Sequence, residues 1–371
     1  MTPRFNRATT TTAVAAALLA LAASGCGGGS ANGPPVHTGT PAPVVLSSLN
    51  TTTTIGSTVD PGPGTGTGDQ NPYGLAIAPV TAGKLTAGDL VICNFNDAAN
   101  VQGNGTTIVS LHPTAGATPT RITQSSILKG CDALTLDAND NIYTANFVAN
   151  TAPIFSPSGT LVSANANPAF SGPFGAIYSP TGGPFGTASV FESNATSGTV
   201  TRMDLRGGAV VGVETIATGF APNTGVPGSL LGPSGLTYDP NGDTLYVVDG
   251  NGNRLVAFSG ASSIPANGIV VGASGFTGPS AANARVVTAN AAIKSPISAA
   301  LLFNGDVVVG NTGDNNLLEF TPAGSLVATK NIDPNGATGA IFGIAASGTS
   351  LATQKIYVND DNTNSVIVFS Q

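Results

Sequence analysis

Six times along this chain a short apolar segment marked by glycine or another small residue is followed by a turn, an apolar strand ending in Asn or Asp, and a further strand. The clearest copy runs Gly232-Pro-Ser-Gly-Leu-Thr-Tyr-Asp-Pro-Asn-Gly-Asp-Thr-Leu-Tyr-Val-Val-Asp249 and continues to Arg254-Leu-Val-Ala-Phe258. The others begin at Pro72-Tyr-Gly-Leu75, Cys131-Asp-Ala-Leu134, Pro173-Phe-Gly-Ala176, Pro296-Ile-Ser-Ala299 and Ile341-Phe-Gly-Ile344. Their mean spacing, about 54 residues, is that of a small β unit stacked many times in one architecture. Six such copies fill one domain when they close on themselves.

Within each copy the strands are rich in β-branched and aromatic residues with period-two alternation. Leu245–Val248, Val307–Val309 and Ile356–Val358 are second strands; Leu255–Phe258, Leu317–Phe320 and Val366–Phe369 are third strands. Asp239-Pro-Asn-Gly-Asp243 and Phe303-Asn-Gly-Asp306 carry turn chemistry between first and second strands. No segment sustains a helical period, so the domain is predicted to be all-β: a six-bladed β-propeller with four-stranded blades over residues 43–371. The chain stops two residues after the third strand of the sixth copy, while Val44-Val-Leu-Ser-Ser-Leu49 precedes the first copy without a blade of its own. Pairing that segment onto the sixth sheet closes the ring and removes an open edge.

The second strand of every copy ends in Asn or Asp: Asn94, Asn146, Asn194, Asp249, Asn311 and Asp360. Short amides and carboxylates accept hydrogen bonds from the N–H groups of tight turns, so these six are expected to be turn caps.

The copies resemble NHL-type β-propeller repeats, most closely over Gly235–Phe258, and the resemblance extends over residues ~70 to 371. It implies fold strongly and function weakly. Two copies depart from its Pro-x-Gly start, at Cys131-Asp-Ala and Pro296-Ile-Ser, and their first strands are expected to be less regular. Propeller ligands bind where first strands converge on the central channel. The residues preceding each small-residue mark, Tyr73, Asp132, Phe174, Ser234, Ile297 and Phe342, are therefore the candidate pocket, with Tyr73, Asp132, Phe174, Ser234 and Phe342 as its working set.

Several similar propellers are enzymes. The gluconolactonase family resembles this chain in blade grammar and holds a divalent metal in the channel through Glu and Asn/Asp side chains. Here the glutamates are Glu192, Glu214 and Glu319, none at the start of a first strand, and Asp132 alone matches a ligand-like position, with Glu192 a further carboxylate that would have to face the channel. Streptogramin-lyase-like chemistry relies on histidine, whereas the two histidines here, His37 and His112, fall in a tether and at an outer strand end. Loop clusters at Asp360–Asn364 and Gly313–Asn316 have calcium-like composition but read as turns. The expectation is a non-catalytic binding propeller with no cofactor; the alternative is a metal-dependent hydrolase or lactonase of the gluconolactonase type.

The N-terminus carries Arg4 and Arg7, an apolar run from Ala13 to Ala23, then Ser24-Gly25-Cys26. This resembles a bacterial lipoprotein signal, which implies an export segment over residues 1–26 and lipidation of Cys26, though Ala23 stands where leucine is usual. Residues 27–42, rich in Gly, Ser, Pro and Thr, read as a flexible tether. The implied location is the cell envelope, periplasmic or outer-membrane face, with membrane contact only through the N-terminal lipid. A net charge of −7 without a Lys/Arg cluster excludes nucleic acid and leaves a protein, peptide or glycan as partner. Removing Cys26 from the thiol count leaves Cys93 and Cys131, which in an oxidising compartment are expected to form a disulfide.

Overall fold

The fold is seen in a computed structural model that describes residues 43–60, 62, 68–223 and 231–371. The export segment, Cys26 and the tether lie outside the described residues. Six sheets are arranged around a centre, and we number the blades by their innermost strands: Gln70–Ile77 (blade 1), Cys131–Leu136 (blade 2), Pro173–Ser179 (blade 3), Pro233–Asp239 (blade 4), Pro296–Leu301 (blade 5) and Ile341–Ser347 (blade 6). Successive inner strands pack against each other, and that of blade 6 packs against that of blade 1, completing the ring. The architecture is all-β, a six-bladed propeller. Apolar clusters fill the junctions between blades, as expected when both faces of each sheet are covered by neighbours.

Five sheets have four antiparallel strands, whereas blade 3 has six. Its extra strands come from the long connection inside blade 4: Ile269–Val271 pairs parallel with Ala209–Thr218 at the outer edge of blade 3, and Phe276–Thr277 pairs antiparallel with Ile269–Val271. A fully buried arginine pins this extension: Arg202 donates from Nε to Asp204 (2.8 Å), from Nη1 to the Ile264 carbonyl (2.7 Å) and from Nη2 to Glu214. Burial of the guanidinium is tolerated because carboxylates and a carbonyl satisfy it.

The ring is closed by an N-terminal strand, but not by the predicted one. Thr51–Ser57 pairs antiparallel with Ser365–Ser370 as the outermost strand of blade 6. Val44–Leu49 instead contains a short 3₁₀ turn at Leu46–Ser48 and wedges between blades 5 and 6. Val45, Leu46 and Leu49 are buried there against Val308 and Leu317 of blade 5 and Ile356, Ile367 and Phe369 of blade 6. The backbone N–H groups of Val45 and Leu46 donate to the Glu319 carboxylate at 2.9 and 2.7 Å, and Lys330 donates to the Leu49 carbonyl at 2.7 Å. An apolar run suits burial on all sides; Thr-Thr-Thr-Thr-Ile-Gly-Ser, with Ile55 inward and threonines outward, suits an outer strand.

Every inner strand breaks register with its neighbour at the same point, between Pro72/Gly74, Cys131/Ala133, Pro173/Ala176, Pro233/Leu236, Pro296/Ser298 and Ile341/Ile344. A bulge re-aims the side chain it carries, and here it falls on the residue ahead of each small-residue mark. The two atypical copies carry the same bulge, so their inner strands are as regular as the others.

Candidate functional site

The bulged residues meet at one end of the central channel. Tyr73 lies flat between Phe95 and Phe342, with ring centroids 4.4 and 3.7 Å away and planes within 8° of parallel. Tyr73, Asp132, Phe174, Ile297 and Phe342 line a cavity of about 240 Å³ that continues along the inner strands. Tyr73, Asp132, Phe174 and Ile297 are buried, whereas Phe342 and, toward the strand ends, Ile77, Ile177, Leu301 and Ala346 are half-buried, so the cavity is open to solvent. Its wall is alanine, isoleucine, leucine and aromatic rings with few polar groups. Two of those, the Thr135 and Thr237 hydroxyls, already accept the backbone N–H groups of Tyr178 and Leu301 from the next blade, at 3.0 and 3.1 Å.

Ser234 corrects the expected set. Although it sits in its bulge like the others, it does not line the cavity: its hydroxyl donates toward the carbonyls of Val248 (3.3 Å) and Pro296 (3.4 Å). The small hydroxyl is drawn into the blade 4–5 junction because carbonyls there accept it.

Asp132 is the one charged-type side chain on the cavity wall. Only 3% of it is exposed, and neither carboxylate oxygen has a hydrogen-bond partner among the described residues. Burial pushes its pKa well above the ordinary carboxylate range. Burial also raises the Tyr73 phenol well above its usual value, helped by the nearby carboxyls of Asp361 and then Asp132. The Ser298 hydroxyl on blade 5 is also buried without a partner among the described residues, but it lies toward Gly310 and blade 6, in the blade 5–6 junction.

Glu192 does not face the channel. It lies on the second strand of blade 3, opposite Ala176, and shares the strand face of Val190 that packs toward blade 2. It is fully buried, both oxygens lack a partner among the described residues, and burial pushes its pKa well up. The corresponding second-strand positions are Ile92, Thr144, Val247, Val309 and Val358, so aligning the copies against each other would have singled it out.

The ends of the second strands are turn caps only in part. Asp249 accepts the N–H group of Gly252 in the turn that follows (2.9 Å), whereas Asn194 and Asn311 accept the N–H groups of Ser171 and Lys294 ahead of their own first strands (both 3.1 Å), and Asn94 and Asn146 donate to the Thr58 and Ile127 carbonyls at 3.0 and 2.7 Å. One residue earlier, a side chain reaches the bulge of the next blade. Cys93 is disulfide-bonded to Cys131, with Cα atoms 6.0 Å apart. Ser193 donates to the Ser234 carbonyl at 2.6 Å, and Asn359 donates to the carbonyls of Tyr73 and Gly74 at 3.3 and 3.0 Å. These three junctions are thus fastened at the same rung, twice by hydrogen bonds and once covalently.

A divalent cation does not fit this donor set. Hard cations need several oxygen ligands; the bulge ring offers the Asp132 carboxylate, with Tyr73, Phe174, Ile297 and Phe342 at neighbouring positions and the Ser234 hydroxyl turned away. Among the described residues no group of three or more His, Cys, Asp or Glu side chains is placed to hold a metal. The loop clusters are occupied by their own turns: Asp314 accepts from Asn311 and the Asn316 N–H and pairs with Lys294 at 3.2 Å, and Asp360 accepts from Thr363 at 2.8 Å. His112 sits at its outer strand end against Asp89, 2.9 Å away.

No family model and no curated protein sequence matches the chain. Solved structures do. A gluconolactonase from Xanthomonas campestris aligns with TM-score 0.55 at 12% identity, covering 82% of this chain and 86% of that one. A calcium-binding protein, regucalcin, from Agrobacterium tumefaciens aligns with TM-score 0.55 at 13% identity, covering 85% and 95%. A chain of a nidogen/laminin complex aligns with TM-score 0.52 at 14% identity, covering 75% and 86%. At such identities the likeness extends to the fold and no further: this chain is a six-bladed β-propeller.

Proposed function

We propose that this chain is an exported NHL-type propeller, tethered to the cell envelope by a lipidated Cys26, that binds a protein, peptide or glycan partner without catalysing its conversion. One observation carries the binding reading. The ring of bulged residues around the channel presents aromatic and aliphatic side chains with a single carboxyl, which makes an apolar well with one polar anchor. The leader, its small residues before Cys26 and the tether behind it support export and anchoring.

A metal-dependent lactonase is the second reading. It is favoured by the partnerless Asp132 carboxyl in the channel and opposed by the lack of companion ligands. Hydrolysis of aldonolactones by chelator-treated protein, with and without calcium, manganese or zinc, separates the two. Binding alone predicts no metal-dependent turnover; hydrolysis restored by one of these ions would overturn it. For the anchor, Cys26→Ser is expected to move the protein from the membrane to the soluble fraction, and an unchanged distribution would count against lipidation.

A further inference from the structure

The channel holds a chemical mismatch. A carboxyl group with no partner costs about 1–3 kcal/mol when buried, more when charged, yet Asp132 stands at a place where the other bulges carry apolar side chains or a satisfied hydroxyl. It lines a cavity with an open end, beside the Tyr73 phenol. A ligand that supplies hydrogen-bond donors and a positive charge at this point, and apolar surface elsewhere, would resolve the mismatch.

We propose that the inner end of the channel is a receptor for a primary alkylammonium group, with Asp132 as its counter-ion and the neighbouring Tyr73 phenol, which also meets Asn71, as a further acceptor. This deepens the binding reading above and rests on it. An ammonium has three donors, matching two carboxylate oxygens and one hydroxyl. A guanidinium brings five donors in a fixed fork, and a sugar brings hydroxyls on every side; either would leave groups unsatisfied against a wall of alanine, isoleucine and phenylalanine. A metal ion fails for want of ligands. Aromatic rings tolerate a neighbouring cation, and Phe174 and Phe342 lie on the same wall. A cavity of about 150 Å³ accepts benzene, so the larger volume here takes an alkyl chain of roughly four to six carbons.

Occupation changes the protonation of Asp132. Burial holds it as the neutral acid, and the arriving cation favours the carboxylate, so the carboxyl proton leaves to solvent while no other bond changes. The ionisable groups beside it are the Tyr73 phenol, raised by its own burial, and, next to that phenol, the Asp361 carboxyl.

The test is calorimetric titration of the full chain with n-butylammonium, N-acetyl-lysine amide and, as a neutral control, 1-pentanol, in two buffers of different ionisation enthalpy. The expected result is one n-butylammonium bound with proton release, affinity that rises with pH, and at least tenfold weaker binding to Asp132→Asn with 1-pentanol affinity unchanged. Tight binding of the lysine derivative would assign the ammonium to a polypeptide partner, and binding of n-butylammonium alone would assign it to a free amine; both support the proposal. Equal ammonium binding by Asp132→Asn, or binding without proton release, would overturn it. The proton count and pH slope are read on the unaltered protein, so a folding defect in the variant leaves the test intact. If 1-pentanol binds and n-butylammonium does not, the ammonium assignment fails while the apolar binding well stands. Metal-restored lactone hydrolysis would remove the well's binding role itself.

Discussion

Asp132, Glu192, Glu319 and Asp361 are carboxyls whose pKa values are all raised, in each case chiefly by burial. Glu319 is held up at about 7 by burial against the pull of the Val45 and Leu46 N–H groups, and Asp306 beside it adds to the rise. Asp361 is likewise raised to about 7, with Asp360 as the second cause. The unfolded chain binds protons at these sites only below about pH 4. Between there and pH 7 the folded state holds protons that the unfolded state has lost, so stability falls as pH rises through this window. For Glu319 and Asp361 this contribution is complete below the unfolded values and is lost as pH rises through about 7. Thermal unfolding is therefore expected at a higher temperature at pH 5 than at pH 8. A melting temperature that climbs from pH 5 to pH 8 would contradict the protonated state of these residues. Asp132 was visible in the sequence as the lone carboxylate at a channel position. Its lack of a partner was not, because satisfaction depends on which side chains the neighbouring blades bring near it.

At the scale of the strand, the bulge and its glycine determine how closely blades approach. A methyl group on Gly235 would overlap Cα of Ser298 in the next inner strand and lie 2.8 Å from the Ile297 carbonyl. On Gly343 it would lie 2.7 Å from the Asn359 amide nitrogen, and on Gly74 2.8 Å from Cys93 Sγ. These glycines are needed for room rather than for an unusual backbone angle. Gly235→Ala is expected to destabilise by about 3 kcal/mol, because backbone cannot step aside. Gly275→Ala, where the added carbon meets nothing within 4 Å, is expected to change stability by less than about 0.5 kcal/mol. Chemical denaturation of both variants checks the pair, and equal midpoints would dismiss the close-approach explanation. The glycine mark was legible as a repeat since one steric need recurs in four blades. Ala133 and Ser298 show that the remaining two junctions leave space for a small side chain. The staples by Ser193 and Asn359 were not legible, since their acceptors are carbonyls of another blade.

For the whole molecule, closure is the condition on which the channel and everything along it depend. The need for an N-terminal closing strand followed from counting strands in the sixth copy, but its position did not. Val44–Leu49 and Thr51–Ser57 both read as extended, and hydrophobicity favours the first. What decides is that the outer position of blade 6 is wet on one side, whereas the gap between blades 5 and 6 is dry on all sides and supplies Glu319 and Lys330 to satisfy a turning backbone. Ile55 is buried from the closing strand at the blade 6–1 junction, and Val45, Leu46 and Leu49 from the wedge. Each such side chain stabilises by about 1.5–3 kcal/mol. The most direct test compares the melting temperature of a chain lacking residues 1–42 with that of one lacking residues 1–57. The closed-ring account predicts that the first melts with the full-length protein and that the second melts roughly 10 °C lower or does not fold. Equal melting of the two would contradict closure by Thr51–Ser57.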